Sequence, residues 1–268
     1  MSWPGTVFSM ELRRSFSYRM DFWVQFLGSL FASAGIGYFL WKSIFSLSQA
    51  REIEGYTLPA MVLYYLLVPL TAKIVQGVER GGISSEIYEG GLTRYLVYPV
   101  PFFVYKYVGR LAVTTVALAQ YLVVVLGYAW LMRGSESGAP ISGIGVMMGL
   151  ALSCLGGLVY FSLMNLIEMT SFWADNVWSL LVMLRFITAI LSGAWLPLSL
   201  YPAWFIDAAI WTPFPYFLYL PVQLAMGRAG WDQAFRGAGV LLAWEAVACL
   251  IMAKVWARGL KQYSGVGI

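Results

Sequence analysis

Apolar residues in this chain gather into six long runs, at residues 22–41, 57–76, 108–132, 141–166, 177–196 and 237–257. Each reaches roughly the 20 residues that an α-helix needs to cross about 30 Å of hydrocarbon. The runs are continuously apolar, unlike the alternating segments of about ten residues in a membrane β-barrel. The pattern predicts an all-α polytopic membrane protein with six transmembrane helices in a single domain, residues 1–268. Spans one and two fall within 22–77, a polar segment within 78–107, spans three to six within 108–257, and a tail at 258–268.

Two flanking patterns add detail. Ahead of the first run, Phe8, Leu12 and Phe16 recur every fourth residue, with Arg13 and Arg14 off that stripe. This predicts an amphipathic helix over 1–21, lying along the membrane face with its cations toward anionic lipid. Ala32-Ser33-Ala34 imitates a signal-peptidase site, but the apolar run continues to Trp41, so an uncleaved span is expected. Between runs five and six, the aromatic stretch 195–219 is broken by Pro197, Pro202, Pro213 and Pro215, with Pro221 just beyond. Proline at this density forbids one continuous helix. Irregular backbone cannot face lipid. Short helices at the outer interface, dipping part-way into the membrane, are the expectation.

Composition agrees with this class. The chain is 60% hydrophobic and 11% charged, against about 25% charged in a soluble domain. The net charge of +4 is too small to suggest nucleic acid, and its placement sets orientation instead. With the N-terminus inside, Arg13, Arg14, Arg19, Lys73, Arg80, Arg94, Lys106, Arg110, Lys254, Arg258 and Lys261 are cytoplasmic. They outnumber Lys42, Arg51, Arg133, Arg228 and Arg236 outside by about two to one, which favours both termini in the cytoplasm. Histidine is absent, and Cys154 and Cys249 sit in apolar runs, so neither a common general base nor a CxxC metal site is available. No GxxxxGK[ST] phosphate loop occurs.

The segment 83–101 carries charge, a glycine pair and two prolines between long apolar runs. At 100° per residue, Glu86, Glu89 and Thr93 share one side, and Tyr88, Leu92, Tyr95 and Leu96 another. Gly90-Gly91 is expected to break the helix. Spacing alone leaves two readings open: a plain interfacial helix, or an element whose acidic side meets a soluble partner.

Gly55-Tyr56-Thr57, Tyr64-Tyr65, the string from Glu89 through Leu92, Arg94 and Leu96 to Pro99, and Pro213-Phe214-Pro215 followed by Pro221 carry a resemblance. In this order they resemble the membrane subunits of bacterial type-two ATP-binding-cassette exporters, over most of the chain. The resemblance implies a permease in the bacterial inner membrane, with a re-entrant extracytoplasmic hairpin between spans five and six. It would pair with a second permease copy or a related one, and each would bind a separate cytoplasmic ATPase that holds ATP and Mg. Glu86, Glu89, Gly90, Gly91, Leu92, Arg94, Tyr95 and Leu96 would form the coupling helix. The second and fifth spans would face the pathway. The chain itself would bind no cofactor and would not be an enzyme. The substrate would be lipid-like, amphipathic or drug-like. A stand-alone secondary transporter or channel is the alternative reading.

Charges within spans are costly, at least about 2.5–3.5 kcal/mol each. Arg185 and Glu245 lie at similar depths in the last two runs, and an ion pair between them, or an Arg185 lining a wet cavity, would relieve that cost. Glu168 and Asp175 read as solvated loop ends. Gln76, Gln120 and Asn165 read as hydrogen-bonding groups between helices. Gly145 and Gly149 form a GxxxG suited to close helix packing.

Overall fold

A computed structural model describes residues 3–17, 19–77, 82–133 and 139–263. Among the described residues eleven α-helices follow one another: α1 (Trp3–Ser17), α2 (Arg19–Ser48), α3 (Leu58–Gln76), α4 (Ile83–Tyr88), α5 (Leu92–Leu96), α6 (Phe102–Leu131), α7 (Gly143–Glu168), α8 (Trp178–Leu191), α9 (Ala203–Ala209), α10 (Tyr219–Ala225) and α11 (Trp231–Gln262). A 3₁₀ turn, Met169–Phe172, continues α7. Residues 78–81 of the expected coupling segment, including Arg80, and 264–268 of the tail lie outside the described residues.

Among the described residues, five helical stretches are long and apolar enough to cross a membrane: Phe26–Ser48, Leu58–Gln76, Phe102–Leu131, Gly143–Phe172 and Trp231–Gln262. The chain is a multi-pass membrane protein. The expected fifth span differs. It is the 14-residue α8, which rises only about 21 Å. Its end has a local cause. Gly193, at φ +77°, is the left-handed residue that commonly stops a helix. The freed Gly193 and Trp195 carbonyls then accept the hydroxyls of Tyr64 (2.6 Å) and Tyr65 (2.5 Å) from α3.

Helix α3 is the centre of the bundle. Thr57 caps its start by accepting from the Ala60 N–H at 3.4 Å, and Pro59 sits in the first turn, where a missing N–H costs nothing. It packs against α2, α6, α7 and α10, and Met61, Tyr64, Leu67 and Ile74 are fully buried. Val62, Leu66, Pro69 and Ala72 form a half-buried strip along it. α8, in contrast, buries little beyond Leu184 and Thr188 and exposes Trp178, Met183 and Phe186.

Glycines on α7 position the broken region. The backbones of Leu224 and Pro221 in α10 lie so close to Gly145 and Gly149 that a Cβ would collide with their carbonyls. The GxxxG thus packs on a short helix of the same chain. α10 is itself buried, with Val222, Leu224 and Ala225 inaccessible. This burial is what lets interrupted backbone sit within the bundle.

The two ends of the bundle are distinct. At one end α4 and α5 pack beside the 3₁₀ turn, the last turns of α11 and the start of α6. α1 runs beside α6 near the same end, with Glu11 against Gly109. At the other end are the α2–α3 loop, the starts of α7 and α11, and α9 and α10. The Ser142 N–H donates to the Ala225 carbonyl there at 2.9 Å.

Candidate functional site

Helices α4 and α5 form an elbow. Gly90, at φ +73°, takes the left-handed turn that side chains resist, and the helix stops at Tyr88 and resumes at Leu92. The elbow has its own apolar core, separate from that of the bundle. Ile83, Leu92, Phe102, Met169, Phe172 and Met252 are buried in it. These residues come from α4, α5, α6, the 3₁₀ turn and α11. The Phe102 and Trp256 rings stack at 5.3 Å, and Phe172 meets Trp256 edge-on at 5.8 Å. Gly259 admits the Phe172 ring, since a Cβ there would overlap it.

Polar bonds fasten the same parts. The Ile83 N–H, at the start of a helix and without an intrahelical acceptor, donates to Glu168 Oε2. Gly82 offers no capping side chain, so a carboxylate from α7 does the work that a local Ser or Asp does elsewhere. The negative charge also lies at the positive end of α4. Glu168 is only 7% exposed. The expectation of a solvated loop end was wrong for Glu168, because its carboxylate has a helix terminus to satisfy. Asp175 is exposed, as a loop end should be. The Tyr263 hydroxyl donates to the Gly90 carbonyl at 3.0 Å and lies 3.1 Å from Thr93 Oγ1. Tyr88 donates to the Ala174 carbonyl at 2.9 Å.

Glu86 departs from the helical wheel. Its carboxylate turns into the elbow, 3.0 Å from Lys106 Nζ and 3.6 Å from Arg94 Nη2. It rests against Gly91, where a Cβ would block it. Lys106 Nζ also lies 4.7 Å from the centre of the Tyr95 ring, a cation–π contact. The break at Gly90 carries Thr93 off the face on which Glu86 and Glu89 were placed, and Lys106 and Arg94 draw Glu86 inward. Glu89, Thr93 and Arg94 remain exposed beside Tyr88, Leu96, Val97 and Tyr98. Leu92 is fully buried and Tyr95 half-buried. The outer side of the elbow is exposed, and its inner side packs against the ends of three long helices.

Arg110 of α6 ties in a fourth helix. Its guanidinium donates to the Val75 carbonyl in the last turn of α3, where a cation favours the helix dipole.

The structure does not pair the intramembrane charges as expected. Glu245 faces α7, where Ser162 Oγ donates to its Oε1 at 2.9 Å and Cys249 Sγ lies at 3.3 Å. Its Oε2 is buried with no hydrogen-bond partner. Arg185 is exposed on α8. The physical reason is that α11 packs along α7 instead of α8. Asn165 bonds to the Phe161 carbonyl of its own helix at 2.7 Å, so it is not an interhelical group here.

Sequence reasoning missed Glu168, Lys106 and Tyr263. A signal existed for the first. An acid embedded in Leu166-Ile167-Glu168-Met169, together with a helix start at Gly82 that lacks a capping residue, is a mismatch that one carboxylate resolves.

Residues 31–267 match a family model described as ABC-2 family transporter protein. No curated protein and no solved structure matches the chain.

Proposed function

The chain belongs to the ABC-2 family of transporter proteins, and we propose that it is the permease subunit of an ATP-driven exporter, worked through the α4–α5 elbow by a separate ATPase. The observation that carries this reading is the second apolar core, which binds the elbow to α6, α7 and α11 at once. A rigid plug between three helix ends transmits displacement; a loop hanging in solvent would not. Its free side offers Glu89, Arg94, Leu96 and Val97 to a soluble partner.

In this reading ATP and Mg belong to the ATPase subunit. The elbow end faces the cytoplasm, where Lys106, Arg110, Lys254 and Arg258 gather. The chain crosses six times. Five crossings are single helices, and the other is α8 completed by the re-entrant α9 and α10. Both termini are then cytoplasmic, and α1 lies along the inner face. Six thin spans enclose little volume, so a second permease copy completes the pathway. The exposed apolar face of α8 is the surface it would share with that copy or with lipid. The substrate is an amphiphile, exported or flipped between leaflets.

Co-purification tests the coupling. Glu89→Lys with Val97→Asp, both on the exposed side, should release the ATPase while the permease itself stays folded and extractable. Retention of the ATPase by that double variant would refute the assignment.

A further inference from the structure

At the end of the bundle opposite the elbow lies an open cavity of about 400 Å³, between α9, α10 and the first turns of α11. Coupling makes no use of it. Leu198, Ile206 and Leu220 give it an apolar wall. The other wall converges polar donors. Gln223 is only 6% exposed, and its amide donates to the Tyr56 hydroxyl. Ser199 Oγ is buried beside the Tyr219 hydroxyl. The Arg228 guanidinium is placed by the Tyr56 ring, 4.0 Å away, and donates at 3.0 Å to the Gly55 carbonyl.

That carbonyl is held by a small hairpin in which Ile53 and Tyr56 exchange hydrogen bonds of 2.9 Å around Glu54-Gly55. The cation is thus oriented from two sides, while the residue itself is exposed. One of its five N–H donors is spent on Gly55, and among the described residues no carboxylate lies within ion-pair distance of it. Arg236, the second cation lining the cavity, is paired with Asp232 at 2.9 Å on exposed helix surface. It contributes little net attraction.

A positioned guanidinium without a counter-charge, a hydroxyl beside it and an apolar wall suit one kind of ligand. We propose that this cavity binds the anionic headgroup of an amphiphile, of the phosphate-ester class, with Arg228 as its principal contact and Ser199 as a second donor. The tail lies along Ile206 and Ile210. The inference deepens the export reading and rests on it: the site stands at the release end and names the substrate class as anionic.

The purified permease in maltoside micelles, without ATPase or nucleotide, is titrated calorimetrically with hexyl phosphate, inorganic phosphate and hexyltrimethylammonium. Hexyl phosphate should saturate at one per chain and bind about tenfold or more tighter than inorganic phosphate. Arg228→Gln should weaken it about tenfold, the scale of one hydrogen bond to a charged group. Ser199→Ala, which leaves the hairpin contact alone, should weaken it severalfold. Equal binding of hexyltrimethylammonium, or unchanged affinity in both variants, overturns the proposal.

Repeating the titration in phosphatidylcholine nanodiscs with and without phosphatidylglycerol separates the sources. Competition by phosphatidylglycerol assigns the site to bilayer lipid, and its absence assigns it to a non-bilayer amphiphile; either result supports headgroup binding. Because no ATPase is present, a failure here leaves the coupling assignment standing, and a failure of coupling leaves this binding intact.

Discussion

Removing the Glu168 carboxylate should loosen the elbow without melting the bundle. Glu168→Ala leaves the Ile83 N–H, on a residue 1% exposed, without the acceptor it has now. An unsatisfied buried donor costs about 1–3 kcal/mol. Loss of a capping group at a helix start costs about 0.5–2 kcal/mol. The two overlap, since both count the same bond, and a total of about 2–3 kcal/mol is reasonable. At about 1.4 kcal/mol per decade, local opening should become roughly 30- to 150-fold more frequent. Glu168→Gln keeps a carbonyl acceptor for the Ile83 N–H and gives up the charge at the α4 terminus, about 0.3–1 kcal/mol, so its opening should rise less than in Glu168→Ala.

Amide hydrogen exchange of the intact permease in nanodiscs reads this directly. The residues Ile83–Tyr88 report the elbow, and the buried centre of α3 serves as internal control. Acceleration confined to the elbow, larger for Ala than for Gln, is expected. Unchanged exchange at 83–88 in Glu168→Ala would refute the capping role. Acceleration spread evenly through α3 would show that Glu168 supports the whole bundle instead.

Further outcomes can be checked by thermal unfolding. Gly259→Ala pushes a methyl into the Phe172 ring and should cost about 1–3 kcal/mol by overpacking, again with faster exchange at the elbow. Glu245→Gln keeps an acceptor for Ser162 and removes charge next to an oxygen that has no donor. Its Tm should hold or rise, because burying an unpaired charge is unfavourable; a fall of several degrees would contradict this. Glu54 sits at φ +47° in the two-residue turn that Asn-Gly prefers. Glu54→Asn should add about 0.5–1 kcal/mol, since a left-handed non-glycine residue costs about 1–2 kcal/mol, or roughly 2 °C in Tm for a chain of this size.

Features governed by neighbours in sequence were legible. The apolar run that opens at Thr57 gives the start of α3, Gly90-Gly91 breaks the elbow, and the prolines from Pro197 to Pro221 announce short helices. Membrane spans follow from apolar length, which is also local. What escaped were bonds between distant positions. Glu168 reaches Ile83 across 85 residues, and Tyr64 and Tyr65 bond to carbonyls about 130 residues away, beyond the end of α8. No periodicity encodes such partners. The Glu86 error has a different origin. A wheel of one helix does not contain the neighbours that the turn at Gly90 folds back, and Arg94 and Lys106 draw the Glu86 carboxylate inward. Depth alone suggested the Arg185–Glu245 pair, but depth does not say which helix lies beside which.

Transport in sealed vesicles tests the central claim most directly. The permease is reconstituted with its ATPase, and uphill movement of an anionic amphiphile is followed on adding ATP. Transport should require the ATPase and should be lost in Glu89→Lys with Val97→Asp, whose elbow surface no longer docks. Uphill transport by the permease alone, or undiminished transport by that variant, would contradict an elbow that carries the driving force.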